Sequence, residues 1–223
     1  MTPEETWTSV DRYINELMVP SDAALDAALE ASTTAGLPAI AVAPNQGKLL
    51  YLLARLMGAR RILEIGTLGG YSTIWLARAL AAGGRLITLE YEPKHARIAR
   101  ENIVRAGLGE VVEIRIGKAL DTLPNLAAEA RGAFDLIFID ADKVSIAEYF
   151  EWSLKLSRVG SLIIVDNVVR KGEVANPGST DPMVVGVRRF NEVLAAERRV
   201  SATTIQTVGS KGYDGITIAL VTG

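Results

Sequence analysis

From position 60 onward the chain alternates short apolar runs with longer amphipathic stretches. RILEIG (61–66), RLITLE (85–90), FDLIFID (134–140) and GSLIIVDN (160–167) are rich in Ile, Leu and Val and bounded by Gly or charged residues. Runs apolar on both faces are what buried parallel strands require, and VVEIRIG (111–117) reads as one more strand. Between them YSTIWLARALA, PKHARIARENIVRAG and IAEYFEWSLKL carry apolar residues at helical spacing. Strand–helix alternation of this kind predicts an α/β fold with a mostly parallel, doubly wound sheet. The tail breaks the rhythm. A helix over 181–198 precedes ATTIQTVG and DGITIALVT, two β-branched runs joined through Ser210-Lys211-Gly212, which predicts an antiparallel hairpin.

Before position 60 the pattern is helical. Residues 11–17 repeat at helical spacing, Pro20-Ser21-Asp22 offers a stop and a capping serine for AALDAALEAS, and Pro38 and Pro44 bracket an extended AIAVA. Asn45 can cap QGKLLYLLARLMG, which ends at Gly58. The simplest reading is one domain over 1–223, with a helical extension (1–59) on a catalytic α/β sheet (60–223).

Composition narrows the chemistry. The 24 Lys and Arg against 26 Asp and Glu give a formal charge of −2, which argues against a nucleic-acid or membrane-surface partner. With no cysteine and one histidine, thiolate chemistry and histidine metal cages are excluded. Acidic residues stand near the amino terminus where a signal peptide would need basic ones, so a cytoplasmic address is expected. What remains is carboxylate, amide, lysine and backbone chemistry. His95 reads as a solvated helix residue, Trp7, Trp75 and Trp152 as packing residues, and Arg188-Arg189 and Arg198-Arg199 as solvated helix faces.

In a doubly wound sheet, ligands sit beyond the carboxyl ends of the strands. The first loaded end is Glu64-Ile65-Gly66-Thr67-Leu68-Gly69-Gly70-Tyr71-Ser72, where glycines let a ligand approach backbone at a helix start. The second is Glu90, about 20 residues beyond the glycine loop, where a carboxylate can accept ribose hydroxyls. A dinucleotide fingerprint would place glycine where Leu68 stands, and Glu64 would repel a pyrophosphate. A carboxylate there suits a cationic ligand such as S-adenosylmethionine. The third and fourth ends are Asp140-Ala141-Asp142-Lys143 and Asp166-Asn167. Asp140, Asp166 and Asn167 are hard oxygen donors, suited to Mg²⁺, Mn²⁺ or Ca²⁺, although each acidic residue alone is as readily a cap or turn former. Lys143, three residues past Asp140, is a candidate general base, since a nearby dication favours the neutral amine.

Taken together, EIGTLGGYSTIWLA, RLITLE, FDLIFIDADK, LIIVDN and GYDGIT resemble the cation-dependent O-methyltransferases, the caffeoyl-CoA and catechol O-methyltransferase family in its small bacterial form. The resemblance runs from about Val42 to the carboxyl terminus. It implies a seven-stranded Rossmann-like sheet with an antiparallel last strand, S-adenosyl-L-methionine and a divalent cation (Mg²⁺ above all) as cofactors, and a homodimer. By the same resemblance the cofactor contacts fall on Val42, Glu64, Gly66, Thr67, Ser72, Glu90, Ala119 and Asp140. The metal ligands fall on Asp140, Asp166 and Asn167, the base on Lys143, and the acceptor side also on Asn167 and Asp214. The segment before Val42 is shorter than in the plant enzymes, and the loop VVRKGEVANPGSTDP has its own sequence, so a CoA thioester is not implied.

The expected activity is methyl transfer from S-adenosylmethionine to a hydroxyl of a small catechol-like phenol. Two rivals stand beside it. A nicotinamide-dependent oxidoreductase lacks a glycine at position 68 and a tyrosine–lysine or histidine proton relay. A non-catalytic S-adenosylmethionine-binding protein has no use for Asp140, Lys143, Asp166 and Asn167.

Overall fold

The computed structural model describes residues 1–20, 22–129 and 132–223. Seven strands form one sheet: β1 (Arg61–Ile65), β2 (Arg85–Glu90), β3 (Val112–Ile116), β4 (Leu136–Ile139), β5 (Leu162–Asp166), β6 (Val200–Gly209) and β7 (Gly212–Val221). Their order is β3-β2-β1-β4-β5-β7-β6. The first five are parallel, whereas β7 runs antiparallel to both β5 and β6. This is the expected doubly wound sheet with an antiparallel strand at the close of the chain.

Alternation along each strand divides the core. Leu63, Ile65, Ile137, Ile139, Ile163 and Val165 pack on one face, against α6 (Ala119–Ala128), α7 (Ile146–Lys155) and α8 (Pro182–Ala196). Ile62, Leu86, Leu136, Phe138 and Ile164 pack on the other. They meet α2 (Ala23–Thr34), α3 (Pro44–Leu56), α4 (Tyr71–Arg78) and α5 (Pro93–Arg105) there. Fully burying one such side chain stabilises by about 1.5–3 kcal/mol, so the two faces together hold the layers. Phe150 and Phe190 meet edge to face at 5.4 Å and pin α7 to α8.

The extended strand ends set the site. β4 and β5 run in register with Ile139 opposite Val165, so the next residues stand side by side, Asp140 just past β4 and Asp166 as the last residue of β5, still paired with Ile216 of β7. α1 (Pro3–Met18) opens with a capping box between Thr2 and Glu5. Its buried Asp11 accepts from Asn45 Nδ2 (2.9 Å) and the Ser210 N–H (2.7 Å), tying α1 to the start of α3 and the hairpin turn.

Three local expectations need correction. Asn45 does not cap α3: Ala43 is the N-cap and Pro44 takes the first helical position, where its missing N–H costs nothing. The chain from 119 to 128, given no element from sequence, is α6, with Pro124 inside it. The capping role read for Ser21 lies outside the described residues, and Asp22 caps α2 by accepting from Ala24 and Leu25 N–H. Among the described residues no helix is long and apolar enough to cross a membrane.

Candidate active site

At the end of β1 the chain must turn sharply against the end of β4. Gly66 has φ +101°, and a Cβ there would lie 2.1 Å from the Asp140 carbonyl oxygen, so only glycine fits. Leu68 is left-handed too (φ +50°), at the position where a dinucleotide fingerprint would carry glycine. Glu90 holds this loop. Its Oε2 accepts from the Thr67 N–H (3.1 Å) and Leu68 N–H (2.7 Å), and its Oε1 from the Glu92 N–H (2.9 Å). A carboxylate has about four acceptor positions, which leaves about one for a ligand hydroxyl. Thr67 turns its hydroxyl inward to Thr88 (2.5 Å) and the Leu89 carbonyl (3.2 Å).

Glu64 is wholly buried beneath this turn. It accepts hydroxyl hydrogen bonds from Ser72 (2.6 Å), Thr73 (2.5 Å) and Thr88 (2.7 Å). Burial pushes its carboxyl up to about 7, outweighing the three hydroxyls that pull it down. Both oxygens are engaged within the protein, and Ser72 and Glu64 form one hydrogen-bonded unit beneath the turn. Val42 is buried just ahead of α3, and Ala119 is half-buried at the start of α6.

At the next two strand ends, Asp140, Lys143 and Asp166 gather. Lys143 is buried and donates from Nζ to Asp140 Oδ1 at 3.0 Å. Asp166 is buried also, with Oδ1 taken by the Asn167 N–H (2.7 Å) and Oδ2 by Gln46 Nε2 (2.6 Å). Burial first, then the Asp140 charge, pushes its carboxyl well above the usual carboxylate range, while Lys143 acts the other way. Asp142, the remaining acid of this segment, serves locally, accepting from the Ser145 N–H (2.9 Å) and the Tyr149 hydroxyl. Among the described residues no group of three His, Cys, Asp or Glu converges, and the carboxylates at these two strand ends are Asp140 and Asp166, with Asn167 following in the chain.

The loop after Asn167 is held in an uncommon shape. Asn167, Arg170 and Lys171 all have φ between +53° and +56°. Each such residue costs on the order of 1 kcal/mol, tolerated where surrounding contacts over-determine the backbone. Asp214 supplies those contacts: its Oδ1 accepts from the Val169 (2.9 Å), Arg170 (3.0 Å) and Gly215 (2.9 Å) N–H groups. Asp214, expected on the acceptor side, is thus a clamp on this loop. Arg188 donates to the Val174 carbonyl (2.6 Å) and is half-buried, so it is not the solvated residue its doublet suggested.

Three contributors escaped sequence reading. Gln46 sits 120 positions from Asp166, and nothing local joins them. His95 is half-buried with Nδ1 3.6 Å from Glu90 Oε1, not solvated; its spacing five residues beyond the Glu90 strand end, on the next helix, is the signal that could have found it. Gly186 in α8 carries no Cβ because one would stand 2.1 Å from the Lys143 carbonyl oxygen, so α8 abuts the segment that bears the lysine. A cavity of about 400 Å³ opens instead at the amino ends of the strands, between Arg61, Arg85, Glu110 and Phe134, away from every loaded end. Arg61 lies over the Phe134 ring there and donates to the Ala133 carbonyl, a packing role.

A family model described as O-methyltransferase matches residues 16–221. The chain is 57% identical to a catechol O-methyltransferase of Niastella koreensis, over 97% of this chain and 98% of that one. It is 52% identical to a catechol O-methyltransferase of Mycobacterium tuberculosis, over 95% and 94%. The solved O-methyltransferase of Bacillus cereus in complex with SAH superposes with a TM-score of 0.96 at 59% identity, covering 97% of this chain and 99% of its own. TomG of Streptomyces achromogenes, an O-methyltransferase involved in tomaymycin synthesis and solved with SAM, gives 0.97 at 54% identity over the whole of both chains.

Proposed function

Because the chain belongs to the O-methyltransferase family and is an S-adenosylmethionine-dependent O-methyltransferase, we propose that its acceptor is a small phenol with two vicinal hydroxyls, oriented on a divalent cation. The observation that carries this reading is the pair of carboxylates Asp140 and Asp166 at adjacent strand ends beside the buried Lys143, with Asn167 next in the chain.

The donor set fits such a cation. The residues offer hard oxygens with no nitrogen or sulfur, and two mutually repelling carboxylates, one of them pushed up by burial, would be relieved by added positive charge. Asp140, Asp166 and Asn167 would hold it. When bound, a divalent cation lowers the pKa of a chelated hydroxyl and fixes its direction. Lys143 donates to Asp140 and is an ammonium in that pair; with a dication's charge beside it, it would first release that proton to solvent and then, as the neutral amine, accept the proton of the hydroxyl to be methylated. Glu90 and the loop it clamps hold the donor, with the Thr67 and Leu68 backbone fixed in advance. The methyl moves from sulfur to oxygen while the proton moves to Lys143. Holding two reactants at contact supplies much of the rate, since the donor is already activated.

The experiment is incubation with labelled S-adenosylmethionine and matched acceptors, catechol and phenol, with Mg²⁺ or with excess chelator. Product is expected from catechol with metal only, while the chelated protein still binds S-adenosylmethionine by calorimetry. Equal methylation of phenol would remove the vicinal-hydroxyl requirement, and full turnover in chelator would remove the cation.

A further inference from the structure

Among the described residues, Arg170 is a cation without a hydrogen-bonded oxygen partner for its side chain, at the edge of the acceptor site. Its Nε is buried and makes no hydrogen bond. Its Nη2 reaches only the Met183 sulfur, at 3.7 Å, and its Nη1 stands 3.9 Å from Asp214 Oδ2, beyond hydrogen-bond distance. Only a quarter of the side chain is exposed. A guanidinium carries five donors, and half-burying them without acceptors is unfavourable unless a ligand supplies what is missing.

Its placement is built. The Arg170 backbone is left-handed and its N–H is fixed by Asp214, so the stem of this side chain is held in place. The residue lies three positions beyond Asn167 and leans on Met183 at the start of α8, the helix whose Gly186 abuts Lys143. Asp214 faces it with its other oxygen, Oδ2, and that 3.9 Å ion pair balances charge while leaving the guanidinium N–H groups without a hydrogen-bonded oxygen. A single guanidinium matches one planar carboxylate, taken two-pronged, better than a run of phosphates.

From this geometry we propose that the acceptor is a vicinal dihydroxy aromatic acid, and that Arg170 binds its carboxylate and selects for it. The proposal rests on the vicinal-phenol reading above and names the acceptor class within it.

The test compares 3,4-dihydroxybenzoate with its methyl ester, as the ratio of kcat/KM for acid over ester, in wild type, Arg170→Gln and Arg170→Lys. The two acceptors differ in intrinsic reactivity, but that difference cancels when the ratio is compared between proteins. One charge-assisted, two-pronged contact corresponds to about tenfold or more. The wild-type ratio should therefore exceed the Arg170→Gln ratio by about that factor. Arg170→Lys should fall between, because it keeps the charge and loses the fork. Equal ratios in wild type and Arg170→Gln would overturn the assignment while leaving the vicinal-phenol reading intact, as would an Arg170→Lys ratio no higher than that of Arg170→Gln. Failure of wild type to methylate either compound, with S-adenosylmethionine bound, would overturn both.

Discussion

The two halves of the site are finished to different degrees. At the ends of β1 and β2 the carboxylates are satisfied by the protein itself: Glu64 by three hydroxyls, Glu90 by three backbone N–H groups. At the ends of β4 and β5 the balance is left open. Asp140 and Asp166 repel one another, and the Arg170 guanidinium lacks a hydrogen-bonded oxygen acceptor among the described residues. The left-handed Asn167, Arg170 and Lys171 hold a loop against its own preference. A half that is complete before its ligand arrives is preorganised for one fixed donor. A half with charge left to balance is where the proposed cation and acceptor would complete the site.

The largest consequence falls on the open half. Lys143→Ala removes the proposed proton acceptor and should lower kcat by about 10²–10⁴-fold, the usual worth of a positioned base. Affinity for S-adenosylmethionine should stay within a small factor, because the proposed donor contacts lie at the other half. Lys143→Arg should not rescue, since guanidinium keeps its proton at any working pH. A pH–rate profile at saturating donor and metal checks this: the deficit of Lys143→Ala should shrink as pH rises and hydroxide takes over. Near-normal kcat in Lys143→Arg would show that the residue supplies only positive charge.

Glu90→Ala probes the finished half. It strips three backbone N–H groups of their acceptor and removes the anchor expected for the ribose. A charge-assisted hydrogen bond is worth about 1.5–3 kcal/mol, so calorimetry should show donor binding weakened by tenfold or more. Glu90→Gln, which still offers an oxygen to the loop, separates loop order from ligand binding. Unchanged donor affinity in both variants would place the ribose elsewhere and break the contrast between the halves.

How much of this is legible in the sequence follows the range of the interaction. Strand runs and their terminal acids are local patterns, so the apolar spacing alone places Glu64, Glu90, Asp140 and Asp166 at strand ends. The hairpin of β6 and β7 is equally plain from its β-branched runs. The helix α6 is not, because Pro124 interrupts its pattern, and Asn45 misleads because a proline just before it already opens α3. Gln46 and Gly186 act across the fold, on residues 120 and 43 positions away, and no spacing rule reaches that far. Arg170 is invisible for another reason: an arginine in a charged loop reads as solvated until its lack of an acceptor is seen.

Gln46 gives a smaller effect on the open half. Its amide directs Asp166 Oδ2, and partners that orient a metal ligand typically contribute 10–100-fold in metal affinity. Gln46→Ala should weaken Mn²⁺ binding by about tenfold, read by the signal of free Mn²⁺ during titration, with donor affinity unaltered. Mn²⁺ affinity equal to wild type would mean that Asp166 needs no such guide, or binds no cation.

The smallest effect concerns stability and again contrasts the two halves. Glu64 loses its proton near 4.5 when the chain is unfolded and near 7 when it is buried, so between those values the folded state holds more protons. Stability therefore falls as pH rises through that window: the contribution is fully present below 4.5 and gone above about 7. Asp166, also raised, adds a slope of the same sign in metal-free protein, which a bound cation should cancel. Glu64→Gln cannot ionise and should lose its own share of the slope, whether or not metal is present. For a chain of this size 1 kcal/mol moves Tm by about 2–4 °C, so the difference between pH 5 and pH 8 should shrink by a few degrees in the variant. Scans of both proteins with chelator and with Mg²⁺ separate the two carboxylates. A slope unchanged by Glu64→Gln but abolished by Mg²⁺ would assign all of the titration to the open half, and show that the three hydroxyls hold Glu64 ionised throughout.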